Sequence, residues 1–245
     1  MNILIDIGNT RVKWCIEKNN QLDHGQAINY KEVEFITVLE QAWLHIDTPQ
    51  KLAISSVSST HIVHKICELA LRQWAGIEIM LAKSTAQSAN VNNAYDQPEK
   101  LGVDRWLALI ALQYYYPGNS CVVDCGTAIT IDGLNEDGQH LGGLISPGIQ
   151  LMRQSLFQGT EALGCFEADF SCDLANSTAK AINSGILLAA AGLIEKAIND
   201  LLVVQTIVLT GGDAKLLANN IQLSAIIEED FVLKGLSLYC KEACV

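Results

Sequence analysis

The chain has 245 residues, 49% of them apolar, enough for one large domain or two modest ones around a sizeable buried core. Its formal net charge of -11, with only 16 Lys and Arg, counts against a general nucleic-acid binder, since phosphate-backbone affinity rests on clustered cations. An acidic surface still permits an anionic ligand where backbone N–H groups and a metal ion line a pocket.

The eight cysteines (Cys15, Cys67, Cys121, Cys125, Cys165, Cys172, Cys240 and Cys244) contain no C-x-x-C pair. Neither Cys121 with Cys125 nor His61 with His64 has further partners at metal-ligand spacing, so reduced, mostly buried thiols are expected. No N-terminal segment joins a basic stretch to an apolar one, and no apolar run reads as long and uncharged enough to span a bilayer. A soluble, cytoplasmic protein with no nucleic-acid or membrane partner is expected.

In chain order, residues 2–7 read as a strand whose apolar run gives way to Asp6, Gly8, Asn9 and Thr10. "VKWCIEK" and "QLDHGQAINY" complete a three-stranded meander, with Asn19 and Asn20 as turn residues. A helix near 31–45, a strand in "KLAISSV", a helix over "THIVHKICELALRQWAG" and a strand in "IEIMLA" extend this to β-β-β-α-β-α-β. The polar stretch "AKSTAQSANVNNAYDQPEK" then leads to an amphipathic helix beginning near "LGVDRWLALIALQYYY".

The second half restarts with "CVVDCGTAITIDG" and continues through "HLGGLISPG". A long helix over "TAKAINSGILLAAAGLIEKAINDLL", the strand "TIVLTGGDA", a helix, and a closing strand and helix follow. "LIDIGNTRVKW" and "VVDCGTAITID" share a plan: an apolar run, Asp, one residue, Gly, then hydroxyl or amide residues and another β-prone segment. Two related lobes, 1–117 and 118–245, facing across a nucleotide cleft would account for the echo; chance recurrence of a D-x-G turn is the plain alternative.

Phosphoryl transfer needs charge neutralisation and in-line positioning, and a Gly-containing turn after a strand-end carboxylate supplies both. The turn aims N–H groups at phosphate oxygens while the carboxylate holds Mg²⁺ directly or through water. Asp6 and Asp124 stand where such carboxylates belong, one per half. Thr10 and Thr127 offer hydroxyl donors and Lys13 a cation, although a solitary hairpin lysine is more often simply solvated. Gly211 and Gly212 in "LTGGDA" would let a nucleotide approach the backbone; an ordinary β–α turn has the same form. Asp104 is a candidate proton acceptor and Arg105 a bidentate fork for a substrate carboxylate. The competing reading has Asp104 serving a helix N-terminus and Arg105 in a surface ion pair.

These residues resemble the type III pantothenate kinases, members of the actin/hexokinase/Hsp70-like nucleotide-binding superfamily. "DIGNTRVK" (6–13) is similar to the family's first phosphate motif, "LGVDRW" (101–106) to its pantothenate motif and "DCGTAITID" (124–132) to its second phosphate motif. "GGLISPG" (142–148) and "TGGDA" (210–214) follow in the family's order. The resemblance implies an α/β fold of duplicated ribonuclease H-like (actin-like ATPase) lobes, each a mixed sheet with helices. It implies ATP-dependent phosphorylation of pantothenate to 4′-phosphopantothenate, the first step of coenzyme A synthesis.

The implied cofactors are Mg²⁺ and a monovalent cation, K⁺ or NH₄⁺, and the implied assembly is a homodimer with pantothenate bound at its interface. By motif match, Asp104 is the catalytic proton acceptor, and Tyr95, Leu101, Gly102, Val103, Arg105 and Thr178 belong to the substrate site. Asp6, Gly8, Asn9, Thr10, Lys13, Thr127, Gly211 and Gly212 bind ATP, Asp124 takes the monovalent cation and Asp6 the Mg²⁺, through water. The sequence departs from the family over "GTEALGCFEADFSCDLANSTAKA", which bears on the 160–177 loop and on Thr178. A sugar or acid kinase, a polyphosphate-type phosphatase, and a regulatory protein on the same fold are the competing functions. "LGVDRW" argues against the first two, and the joint presence of Asp6, Asp104, Arg105 and Asp124 against the last.

Overall fold

Ile3, Leu4, Ile5 and Ile7 are all buried, so β1 (Asn2–Ile7) is covered on both faces, as a continuous apolar run requires. The structure, a computed structural model of the chain, describes residues 1–23, 25–30, 34–159 and 170–242. β1 pairs antiparallel with β2 (Arg11–Lys18), setting Asp6 opposite Lys13. On its other side it runs parallel to β5 (Lys51–Ser56), setting Asp6 beside Ser55.

The expected third meander strand is two short pieces, β3 (Gln21–Leu22) and β4 (Gln26–Asn29), each paired with β2. β6 (Glu78–Leu81) lies parallel to β5. Helices α1 (Phe35–Trp43) and α2 (Thr60–Gln73) close a core containing Trp14, Trp43 and Trp74. The Trp14 and Trp43 rings meet edge-on with centroids 6.1 Å apart, and Trp43 and Trp74 lie at 5.0 Å. Such pairs add about 0.5–1.5 kcal/mol each beyond the area they bury.

The polar stretch contains a hairpin that periodicity alone does not reveal: β7 (Gln87–Ser88) and β8 (Val91–Asn92), with Ala89 and Asn90 at φ 49° and 60° in its tight turn. A 3₁₀ turn over Pro98–Lys100 then leads into α3 (Val103–Tyr115).

The second sheet is built from β9 (Ser120–Cys125), β10 (Ala128–Leu134), β11 (His140–Pro147), β12 (Thr206–Thr210) and β13 (Ile226–Ile227), in the order β11-β10-β9-β12-β13. α4 (Ile149–Gly159), α5 (Thr178–Leu201) and α6 (Ala214–Ala218) accompany it. β9 repeats the pairing plan of β1, antiparallel to the next strand and parallel to a later one, with Thr210 beside Asp124 as Ser55 is beside Asp6. The echo in the sequence is therefore a duplication at residue register.

α5 corrects one expectation, because it has the length and apolar composition of a membrane span. Half of that stretch is buried, with Ile186, Leu187, Ala190, Ala191 and Ile194 in the core of its own unit.

Contacts divide the chain into Met1–Tyr115 with Asp230–Val245, and Tyr116–Glu229. A boundary at 117/118 put the last helix, α7 (Phe231–Glu242), in the second lobe, but it belongs to the first unit. Gly235 shows why: a Cβ there would lie 1.9 Å from the Leu107 carbonyl oxygen, so α7 and α3 touch backbone to backbone. Cys15, Cys121, Cys125 and Cys240 are buried free thiols, Cys67 is half-buried and Cys172 exposed. Cys165, Cys244, residues 31–33 of the helix expected near 31–45, and residues 160–169 of the atypical loop lie outside the described residues.

Candidate active site

In the first unit the turn after β1 closes through Gly8 N–H donating to the Arg11 carbonyl at 3.0 Å. Tyr30 fixes it from outside, its hydroxyl 2.9 Å from the Gly8 carbonyl and 3.0 Å from Ser58 Oγ. Ser55 Oγ donates to Asp6 Oδ1 at 2.9 Å, an orientation set by the parallel register of β1 and β5. Asn9 is exposed and Thr10 half-buried on the same turn, and Lys13 is half-buried opposite Asp6. Sequence reading missed Tyr30, Ser55 and Ser58; paired serines ending the strand "KLAISSV" were the available signal.

In the second unit three separated motifs meet. Pairing of β9 with β12 brings 210–213 to Asp124, and Asp213 N–H donates to the Cys125 carbonyl at 3.0 Å. Gly148 N–H donates to the Thr127 carbonyl at 2.9 Å, which ties "SPG" to "CGT". Gly211 has φ +94°, and a Cβ on it would fall 2.5 Å from Asp124 Oδ1 and 2.6 Å from the Cys125 carbonyl carbon. No side chain fits between that turn and the carboxylate, so glycine is required twice over. Thr127 and Gly212 are exposed here. Burial, with the Asp124 and Asp213 carboxylates adding to it, pushes the Cys125 thiol far up, so it stays neutral inside this turn.

The segment "LGVDRW" (101–106) leads into α3. Asp104 Oδ1 accepts the N–H of Arg105 at 2.8 Å, so Asp104 does serve the helix start. Close approach of Gly102 matters there, since a Cβ on it would lie 2.6 Å from Asp104 Oδ1. Arg105 is not a surface ion-pair residue: it is 5% exposed and donates from a terminal nitrogen to the Tyr95 hydroxyl at 2.9 Å, its guanidinium carbon lying 5.8 Å from that ring's centroid. Tyr95 is held in turn by its N–H donating to Asn93 Oδ1 at 3.0 Å. Leu101 and Val103 are buried, and the Leu101 carbonyl accepts from Ser84 Oγ at 2.8 Å. Their side chains serve the core, and only their backbone is available to a ligand.

Thr178 is exposed at the first position of α5, where it lines an open groove with Met152, Leu156, Ile182 and Ile186 of α4 and α5.

The profile of the type III pantothenate kinase family matches residues 2–200. The chain is 34% identical to a type III pantothenate kinase of Nitrosococcus oceani, covering 99% of this chain and 94% of that one. It is 35% identical to one from Acinetobacter baumannii, covering 97% and 96%, and 34% to one from Laribacter hongkongensis over the full length of both. Among solved structures, a Campylobacter jejuni protein described as a Baf family transcriptional activator superposes with TM-score 0.66 at 24% identity, covering 99% and 98% of the two chains. An activator of 2-hydroxyisocaproyl-CoA dehydratase from Clostridium difficile, with bound ADPNP, superposes with TM-score 0.56 at 13% identity, covering 98% and 93%. On the family match and the near full-length identity to curated members, the chain belongs to the type III pantothenate kinase family.

Proposed function

We propose that the protein transfers the γ-phosphoryl group of ATP to the primary hydroxyl of pantothenate, forming 4′-phosphopantothenate for coenzyme A synthesis. The observation that carries this reading is the Asp104–Arg105–Tyr95 group, which supports the family's pantothenate motif with a carboxylate at a helix start beside a buried guanidinium hydrogen-bonded to a tyrosine hydroxyl.

A primary alcohol is too weak an acid to ionise beforehand. Asp104 accepts its proton late, as the bond to phosphorus forms in a loose transition state. Arg105 and Tyr95, with Gly102, the backbone of Leu101 and Val103, and Thr178, bind pantothenate. Asp6, Gly8, Asn9, Thr10, Lys13, Thr127, Gly211 and Gly212 bind ATP phosphates.

Carboxylate oxygens suit hard cations, so Asp6 and Asp124 are donors of the type that the ions implied by the resemblance take. Asp6 would hold Mg²⁺ through water and Asp124 K⁺ or NH₄⁺; once bound, these ions neutralise phosphate charge. A cytoplasmic homodimer completes the proposal, and the apolar groove of α4 and α5 beside Thr178 supports a self-associating face.

The test is transfer from Mg-ATP to pantothenate by the purified protein, in K⁺ and then in Na⁺, with products weighed by mass spectrometry. Phosphopantothenate that forms in K⁺ and fails to form in Na⁺ is expected. A folded dimer yielding no product in either salt overturns the assignment.

A further inference from the structure

The C-terminal helix lies beyond the residues matched by the family profile, which ends at 200, yet its approach carries a carboxylate into the first phosphate motif. Asp230, immediately before α7, has its Oδ1 4.0 Å from Lys13 Nζ. Its other oxygen accepts the Gly25 N–H at 3.0 Å. Asp230 sits at φ 55°, a left-handed conformation that Asp and Asn tolerate better than other non-glycine residues. Gly25 in turn has no room for a side chain, since a Cβ there would lie 2.6 to 2.7 Å from the Asp230 carboxylate. Backbone conformation, a backbone donor and a steric wall thus fix one carboxylate beside one lysine.

The same charge is felt along β2. Burial, followed by the Asp230, Glu17 and Asp23 carboxylates, pushes the Cys15 thiol up to about 12. Glu17 is already engaged by Lys241 at 3.3 Å, by the Ser237 hydroxyl and by Asn2 Nδ2 at 2.9 Å.

We infer that Asp230 is a positioning residue for Lys13: it holds the ammonium in place for an ATP phosphate without consuming its donors. The inference rests on the proposed role of Lys13 as a phosphate contact. A partly exposed pair of this kind adds little to stability, so its value lies in placement. A lysine stem has four rotatable carbons, and the β2 register fixes only its Cα. A separation of 4.0 Å is longer than a hydrogen bond, so the Lys13 protons are not spent on Asp230 while its charge is still attracted.

The experiment is a double-mutant cycle of Asp230→Asn and Lys13→Met, read by calorimetric titration with Mg-ATP, steady-state kinetics and thermal melting. Asparagine keeps the φ tolerance and the acceptor for Gly25 while removing the charge. In the Lys13 background, Asp230→Asn is expected to weaken ATP binding and raise its KM roughly two- to fivefold, the equivalent of a partly exposed charge pair, with the melting temperature unchanged.

In the Lys13→Met background, Asp230→Asn is expected to have no effect. Gly25→Ala, which displaces the carboxylate sterically, should reproduce the loss and add nothing to Asp230→Asn. Equal loss in both backgrounds, no loss, or tighter ATP binding overturns the inference alone. Unaltered ATP affinity in Lys13→Met overturns the phosphate role of Lys13, and the inference with it.

Discussion

The guanidinium of Arg105 donates to the Tyr95 hydroxyl at 2.9 Å and lies 5.8 Å from the centroid of the same ring, so one side chain fixes the position of the other. A lysine offers a point charge without the planar fork. Arg105→Lys is expected to raise the KM for pantothenate roughly tenfold with a smaller change in kcat. Steady-state kinetics at saturating ATP check this, and an unchanged KM removes Arg105 from the substrate site.

Asp104→Asn preserves the amide-oxygen acceptor for Arg105 N–H, so the start of α3 should remain intact. What it loses is the proton acceptor, a contribution of about 10²- to 10⁴-fold. We expect kcat to fall by that order while pantothenate binding and the melting temperature hold. A kcat near that of the unaltered protein would refute the base assignment.

Gly211→Ala strains the backbone at φ +94° and drives a methyl into the Asp124 carboxylate and the Cys125 carbonyl group. The turn must open, at a cost of about 1–3 kcal/mol, and carry Asp124 out of place. Loss of both thermal stability and ATP affinity is expected. Gly192→Ala, where nothing lies within 4 Å of the added methyl, provides the control.

Glu17 is buried, which alone would raise its pKa. Hydrogen bonds from Ser237 and Asn2 and the charge of Lys241 outweigh burial and hold it below the ordinary glutamate value of 4.5. A depressed folded-state pKa gives stability that is present above the unfolded value and lost as pH falls through the folded one. The melting temperature should therefore decline below pH 4.5, and Glu17→Gln should show a shallower decline from a lower starting point. Parallel melting curves across that range would show that Glu17 carries no linkage.

Much of this was legible along the chain because the signals are local. The apolar run of β1 with Asp6 at its end, the start of α3 at "GVDRW", and the long α5 all follow from periodicity and punctuation within a dozen or two residues. The β7–β8 hairpin was not legible, since its two-residue strands are too short to show alternation and Ala89 at φ 49° is not a residue that announces a turn. Arg105 was open to a surface reading because spacing does not report burial.

The amino-acid order by itself determined the class of fold, the family and the order of the motifs. Tertiary structure alone decided which distant groups meet. Parallel pairing of β9 with β12 set Gly211 against Asp124, the parallel register of β5 set Ser55 on Asp6, and the close approach at Gly235 returned α7 to the first unit and Asp230 to Lys13. Hydrophobic patterning specifies which face of an element is buried. Strand partners and register are chosen only when whole faces pack together, where a one-residue slip would reverse every side chain.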